Sequence, residues 1–481
     1  MSAVRSRHRP NREKSRNALF FCYMNNYKKY TLPVNPVFKI IFSFVILIVA
    51  GAFILSMPVS LVKEIKFIDA LFISTSAVCV TGLVTVDVPG VFSHFGQFII
   101  AVLIQLGGLG VMTISVTFAF LLGRKLSVRW QFALMDLYSV HSKLSIKSIL
   151  LRILIYSFTV EMIAAAVLFP EFYAVRGNFA HGLWDAVFHS ISAFCNAGFS
   201  LYSDNLIGFS HNKLVLSVIS AEIIFGGIGF FVMSEIVHNI YLFWKYRKVK
   251  NHPQIILSLH SKIVLTATLF LIILGTAVFF VLERGNSLTG MVISDKLLNA
   301  FFQSVTCRTA GFNSVDISIL RETSLFLMVG LMFIGGSPGS IAGGVKTTTF
   351  WIILSLIYSK FKGVTDLVLW KRTIDKETIE KAMTLLILAL FFVSLSTFFL
   401  IYFDAFKIKN LFLASLFEIT SAFGTVGLSV GITPQMTVVG KIITCIVMLT
   451  GRLGPLTLFA SLTFNKKTVN LKYPKENIMV G

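Results

Sequence analysis

The chain has 481 residues, 55% hydrophobic and only 14% charged, where a soluble domain carries about 25% charged residues. Apolar runs of bilayer-spanning length recur, which excludes an ordinary soluble protein; no run of short alternating segments dominates, which excludes a transmembrane β-barrel. The net charge of +21 gathers in five basic blocks (1–39, 124–152, 245–262, 360–381 and 466–475), which read as the cytoplasmic side of a polytopic membrane protein touching anionic lipid, not as a nucleic-acid surface.

In chain order, residues 1–37 are polar and basic, and read as a cytoplasmic tail rather than a cleaved signal peptide. A spanning run at 38–59 follows, then a shorter run at 67–79 that stops at "SAVCVTGLVTVD", then a second spanning run at 96–122 carrying "GGLG" from Gly107. The pattern recurs three times. Runs at 149–169, 183–195 and 213–243 frame "SAFCNAGFSLYSD" and "GGIG" from Gly226. Runs at 263–282, 296–307 and 325–358 frame "TCRTAGFNSVD" and "GGSPG" from Gly335. Runs at 382–403, 411–423 and 437–463 frame "SAFGTVGLSVG" and "GRLG" from Gly451.

Twelve helical residues cover about 18 Å, too little for a hydrocarbon core of about 30 Å, so the short runs read as re-entrant half-helices. The glycines that follow them, Gly82, Gly198, Gly311 and Gly427, are spaced by 116, 113 and 116 residues. The expected fold is therefore an all-α polytopic membrane protein. It consists of four tandem helix–pore-helix–filter-loop–helix repeats with pseudo-fourfold symmetry around one central ion pore. The divisions are a cytoplasmic tail (1–37), repeat 1 (38–123), repeat 2 with its preceding cytoplasmic loop (124–243), repeat 3 (244–360), repeat 4 (361–465) and a second cytoplasmic tail (466–481). Eight crossings put both termini on the cytoplasmic side.

Non-helical backbone at membrane depth persists only where protein buries it or water bathes it. Four such loops on one axis would line a pore, their carbonyls replacing the hydration shell of a cation. The expected filter residues are Val80, Thr81 and Gly82; Asn196, Ala197 and Gly198; Thr309, Ala310 and Gly311; and Thr425, Val426 and Gly427. A cation would sit among their backbone carbonyls. Asp87, Asp204 and Asp316 follow three of the loops and would form an acidic outer mouth that concentrates cations. Cys79 and Cys195 read as small packing residues behind the filter, and the five cysteines show neither disulfide nor zinc spacing. His189 reads as a structural hydrogen-bonding group.

The loops "VTGL", "NAGF", "TAGF" and "TVGL", with "TCRTAGFNSVD" and "GGSPGSIAGGVKTTTF", resemble the Ktr/Trk/HKT superfamily of potassium-uptake proteins over about residues 38–465. Eight spans rather than ten look most like the membrane (KtrB-type) subunit of bacterial Ktr systems. The resemblance implies potassium-selective uptake across the cytoplasmic (inner) membrane, because all four filter positions are glycine. It also implies stimulation by sodium, a homodimer, and a peripheral cytoplasmic ring of nucleotide-binding (RCK, KtrA-type) subunits. No nucleotide fold lies in this chain, so no cofactor is expected on it, and any nucleotide would act through that partner.

The segment 335–346 carries Gly335, Gly336, Gly339, Gly343 and Gly344 with Pro338, too many breakers for a regular helix. "GSIAGGVKT" is not a phosphate-binding loop, since Val345 separates Gly344 from Lys346. The resemblance implies a gate loop beneath the filter, with Arg452 as a positive barrier nearby. Lys346 either adds to that barrier or reaches cytoplasmic water. Arg308 is expected to point behind the filter and to pair with Glu418 as filter support. Glu161 and Glu222 are intramembrane carboxylates that either pair with such cations or face water. Two other readings compete. An ion-coupled secondary cation transporter (Na⁺/K⁺ or H⁺/K⁺) would show a central coupling site; an enzyme would need a clustered catalytic set that this sequence lacks.

Overall fold

A computed structural model describes residues 36–110, 146–246, 257–364, 366–404 and 410–454. Both basic tails, apart from the last residues of the first, lie outside this range, as do the loop before residue 146 and the far ends of the inner runs read to 122 and 463.

Each of the four segments expected as repeats contributes an outer helix, a short helix (termed a pore helix after that expectation) and an inner helix. In repeat 1 these are α1 (Pro36–Leu55), α2 (Phe67–Val78) and α3 (His94–Leu109). Repeat 2 has α4 (Ile146–Arg176), α5 (Phe179–Phe194), α6 (Lys213–Ile228) and α7 (Phe230–Tyr246). Repeat 3 has α8 (Leu259–Glu283), α9 (Ile293–Thr306), α10 (Glu322–Phe333) and α11 (Thr347–Phe361). A hairpin of β1 (Val368–Leu369) and β2 (Arg372–Thr373) then leads to α12 (Lys376–Phe403), α13 (Leu411–Gly424) and α14 (Val438–Leu453).

Burial follows this division of labour. The outer helices present Phe158, Met162, Phe391 and Phe398 outward, as helices solvated by lipid do, whereas the pore helices bury Phe72, Phe188, Phe302 and Phe417 completely. Among the described residues, three helices are long and apolar enough to cross a bilayer: Leu151–Arg176, Leu259–Glu283 and Lys376–Phe403. Inner helices start at one kind of cap. The side chains of Ser93, Asn212 and Thr437 accept hydrogen bonds from the backbone of Gly96, Val215 and Gly440, satisfying otherwise orphaned N–H groups. In repeat 3 no such side chain is present; the carboxylate of Glu283 accepts from the backbone of Arg321 and the hydroxyl of Ser324 instead.

One expectation needs correction. The run at 213–243 is not a single span: it breaks at Gly229, and its two halves bend by 104°. Gly110, Gly229 and Gly454, each the last residue of its glycine mark, have φ of +83°, +99° and +86°. With ψ of 125°, 140° and 136° they lie outside any helical conformation, so the helix ends there, and glycine adopts positive φ without a Cβ penalty. A lone glycine inside an apolar run costs only about 1 kcal/mol in a helix, so the run length concealed the break. The inner helices of repeats 1, 2 and 4 therefore all end at the level where repeat 3 carries its loop.

Candidate functional site

The four loops close into a ring. Each glycine of the expected filter lies so near the next loop that a Cβ would strike its carbonyl oxygen. From Gly82 the contact is Ala197 O at 2.3 Å, from Gly198 it is Ala310 O at 2.6 Å, from Gly311 it is Val426 O at 2.3 Å, and from Gly427 it is Thr81 O at 2.1 Å. The order runs through repeats 1, 2, 3 and 4 and returns to 1. This cyclic approach brings all four expected filter segments together around one centre.

Backbone conformation repeats with it. The first residue of each triplet, Val80, Asn196, Thr309 and Thr425, has φ between +52° and +75°. The glycine two places on is positive as well, at +91°, +69°, +80° and +94°, while the residue between is not. Alternation between positive and negative φ is a conformation in which successive carbonyls can face one side of a chain, as a carbonyl-lined cation site requires. Non-glycine residues in this region carry strain of order 1–3 kcal/mol each and persist only where their surroundings hold them.

Those surroundings are residues that the sequence reading passed over. Thr81 N, Ala197 N and Val426 N donate to the carbonyls of Ser76, Ser192 and Ser421 at 2.7, 2.7 and 2.8 Å, and Ala310 N to Thr306 O at 3.0 Å. The hydroxyls of the same four residues complete the lashing. Ser76 Oγ and Ser421 Oγ accept from Gly82 N and Gly427 N at 3.0 Å. Ser192 Oγ and Thr306 Oγ1 donate to Phe199 O at 2.8 Å and Phe312 O at 2.6 Å. A signal was present: a serine or threonine five or six places before the glycine in every repeat. Between loops, the Thr309 hydroxyl donates to Asn196 Oδ1 at 3.3 Å, while Asn196 Nδ2 donates to Ala193 O and Ile223 O. Cys79, Cys195 and Cys307 cap the first three pore helices and are buried, with Cys195 Sγ donating to Gln105 Oε1 at 3.3 Å.

Directly against this ring packs the loop between α10 and α11. Its ends are clipped together by Gly335 N donating to Val345 O (2.9 Å) and Val345 N to Phe333 O (3.2 Å). Gly339 and Gly344 turn with φ of +69° and +67°, and Thr347 N donates to Gly336 O at 3.0 Å. On one side the loop is bonded to the break in repeat 2: Ser337 N donates to Gly227 O at 3.0 Å, and Phe230 N donates to Gly339 O at 3.1 Å. On the other, Gly343 N donates to Thr425 Oγ1 at 3.1 Å, a direct bond from the loop to the filter. Lys346 Nζ folds back onto Ala342 O at 2.7 Å. Arg452 reaches across to the end of α3, where its Nη2 donates to the carbonyls of Gly107 and Gly108, the latter at 3.0 Å. Ile341 of the loop approaches the same Gly108.

The expected Arg308–Glu418 pair does not form. Glu418 accepts from Ser429 Oγ (2.5 Å), Val430 N (3.2 Å) and Thr433 Oγ1 (2.9 Å), all in its own repeat. Arg308 does lie behind the filter, where its Nη1 donates to Thr268 O at 3.5 Å. The turn that follows its own loop, 11 to 15 residues on, supplies each of these partners of Glu418. Glu161 is held by Gln105 Nε2 at 3.0 and 3.1 Å, and Glu222 by Ser190 Oγ at 2.5 Å. His189 hydrogen-bonds Asp185 O and Ser200 Oγ within repeat 2. Asp87, Asp204 and Asp316 are exposed; Ser203 Oγ donates to Asp87 across repeats at 2.9 Å, whereas Asp204 and Asp316 accept from their own turns. One buried pair was not anticipated: Lys441 of α14 with Asp69 of α2, at 2.6 Å.

Known proteins resemble this chain over nearly its whole length. The family model for TrkH, cation transport protein, matches residues 23–470. The potassium/sodium uptake protein NtpJ of Enterococcus hirae is 37% identical over 463 residues, 94% of this chain and 99% of that protein. Ktr system potassium uptake protein B of Bacillus subtilis is 38% identical over 440 residues, 91% of this chain and 95% of that protein. The crystal structure of the potassium transporter TrkH from Vibrio parahaemolyticus has the same fold, with a TM-score of 0.67 at 18% identity, covering 93% of this chain and 90% of that one.

Proposed function

The chain belongs to the TrkH family of cation transport proteins, a family of transporters rather than enzymes, and from that premise we propose that it takes up potassium through the four-loop ring. The observation that carries this reading is the closed circuit of glycine-to-carbonyl approaches from repeat 1 to repeat 4 and back. A ring of backbone carbonyls with no side chain between them offers a dehydrated monovalent cation a substitute for water. Potassium moves down its electrochemical gradient, and the loop 335–346 beneath the filter obstructs the path until it shifts.

Lys346 and Arg452, on the filter's inner side, add positive charge to that obstruction. A homodimer in the cytoplasmic membrane, both termini cytoplasmic, presents the basic segments to a peripheral nucleotide-binding ring. Sodium acts as a stimulant rather than as a coupled substrate. The test is potassium and sodium uptake by proteoliposomes containing the chain, native and Gly82→Ser. Potassium-selective flux that the substitution relaxes towards sodium supports the pore. A fixed stoichiometry with a second ion overturns it in favour of coupled transport.

A further inference from the structure

Arg308 is 7% exposed and follows the pore helix α9, directly before Thr309. It lines a cavity between α6 and α8 together with Thr268 and Gly227, the remaining walls being apolar, among them Ile223, Ile272 and Val305. Two polar atoms at this cavity have no hydrogen-bond partner among the described residues: Arg308 Nε and Thr268 Oγ1. No ion pair among those residues involves Arg308, and the only hydrogen bond of its guanidinium among them is the 3.5 Å one to Thr268 O.

A guanidinium stays charged and has no acceptor atom, so only an acceptor can complete it. Leaving a buried cation uncompensated costs several kcal/mol. Its position makes the need sharper, since this positive charge stands three residues before Gly311, beside a path for cations. The cavity holds about one water-sized particle. That limits an occupant to a single small particle, a monatomic anion at most, and excludes a lipid phosphate.

We propose that the Arg308–Thr268 cavity binds one small monovalent inorganic anion, chloride by size and charge, held by Arg308 Nε–H and the Thr268 hydroxyl. The bound anion cancels the guanidinium behind the third filter loop. Its functional consequence rests on the conduction reading; the binding does not, so the two fail separately.

Crystals grown in bromide give the direct test. An anomalous peak within hydrogen-bond reach of Arg308 and Thr268 is expected, and an ordered water there without bromide signal overturns the site. Thr268→Val, nearly isosteric and lacking the hydroxyl, keeps the test independent of whether Arg308 variants fold. Thermal unfolding of detergent-solubilised native protein should shift upward when chloride replaces gluconate, and the shift should shrink in Thr268→Val. Equal midpoints in both anions would also sink the proposal.

Discussion

Lys441 Nζ of the last inner helix lies 2.6 Å from Asp69 Oδ1 of the first pore helix, joining residues 372 apart in the chain. Both side chains are 11% exposed. The pair ties repeat 4 to repeat 1, the one junction in the ring that chain connectivity between successive repeats does not supply.

Breaking that pair by Lys441→Met should cost about 3–5 kcal/mol, because Asp69 is left charged and buried without its partner. Adding Asp69→Leu should recover most of the loss. Thermal unfolding of the two single variants and the double variant checks this; a double variant as unstable as the sum of the singles would refute the coupling.

Substitution at the filter glycines should separate selectivity from folding. In Gly82→Ser the new Cβ meets Ala197 O at 2.3 Å and the residue must hold φ of +91°, so the carbonyl ring has to widen. Potassium-over-sodium preference is expected to fall about tenfold, equivalent to about 1.4 kcal/mol. Gly285→Ala is the control: nothing lies within 4 Å of its Cβ position, and both flux and stability should stay within about 0.5 kcal/mol of native.

Thr425→Val removes the acceptor for Gly343 N while retaining the side-chain shape and the filter backbone. An unsatisfied buried amide costs about 1–3 kcal/mol, and here that cost falls on the resting position of the loop. Basal potassium uptake without any partner protein should therefore rise several-fold. Uptake equal to native would mean that the bond does not hold the loop in place.

Arg308 and Glu418 share no partner, one bonding Thr268 and the other Ser429, Val430 and Thr433. Their single substitutions to glutamine should add within about 0.5 kcal/mol in the double variant. A coupling of several kcal/mol in the unfolding cycle would restore the expected ion pair.

The pore helices were legible because run length is a local property. The short runs read at 67–79, 183–195, 296–307 and 411–423 lie on α2, α5, α9 and α13, whose ends differ from them by four residues or fewer. The serines and threonine that lash the filter were equally visible at their fixed offset, but a hydroxyl in an apolar helix looks like packing until its acceptor is known. The break at Gly229 was hidden for a different reason: composition reports hydrophobic length, and a single glycine at positive φ leaves that length unchanged.

By itself the sequence determined a membrane protein of four repeats, each with a half-helix and a glycine loop, since spanning length and glycine placement are written locally along the chain. Tertiary structure decided what those loops face. Gly82 meets the carbonyl of Ala197, Gly427 meets that of Thr81, Arg452 caps α3, and Lys441 finds Asp69. Each is a contact between distant segments, and buried polar and charged groups take whichever partner folding brings near, because leaving them unpaired costs more than any local preference returns.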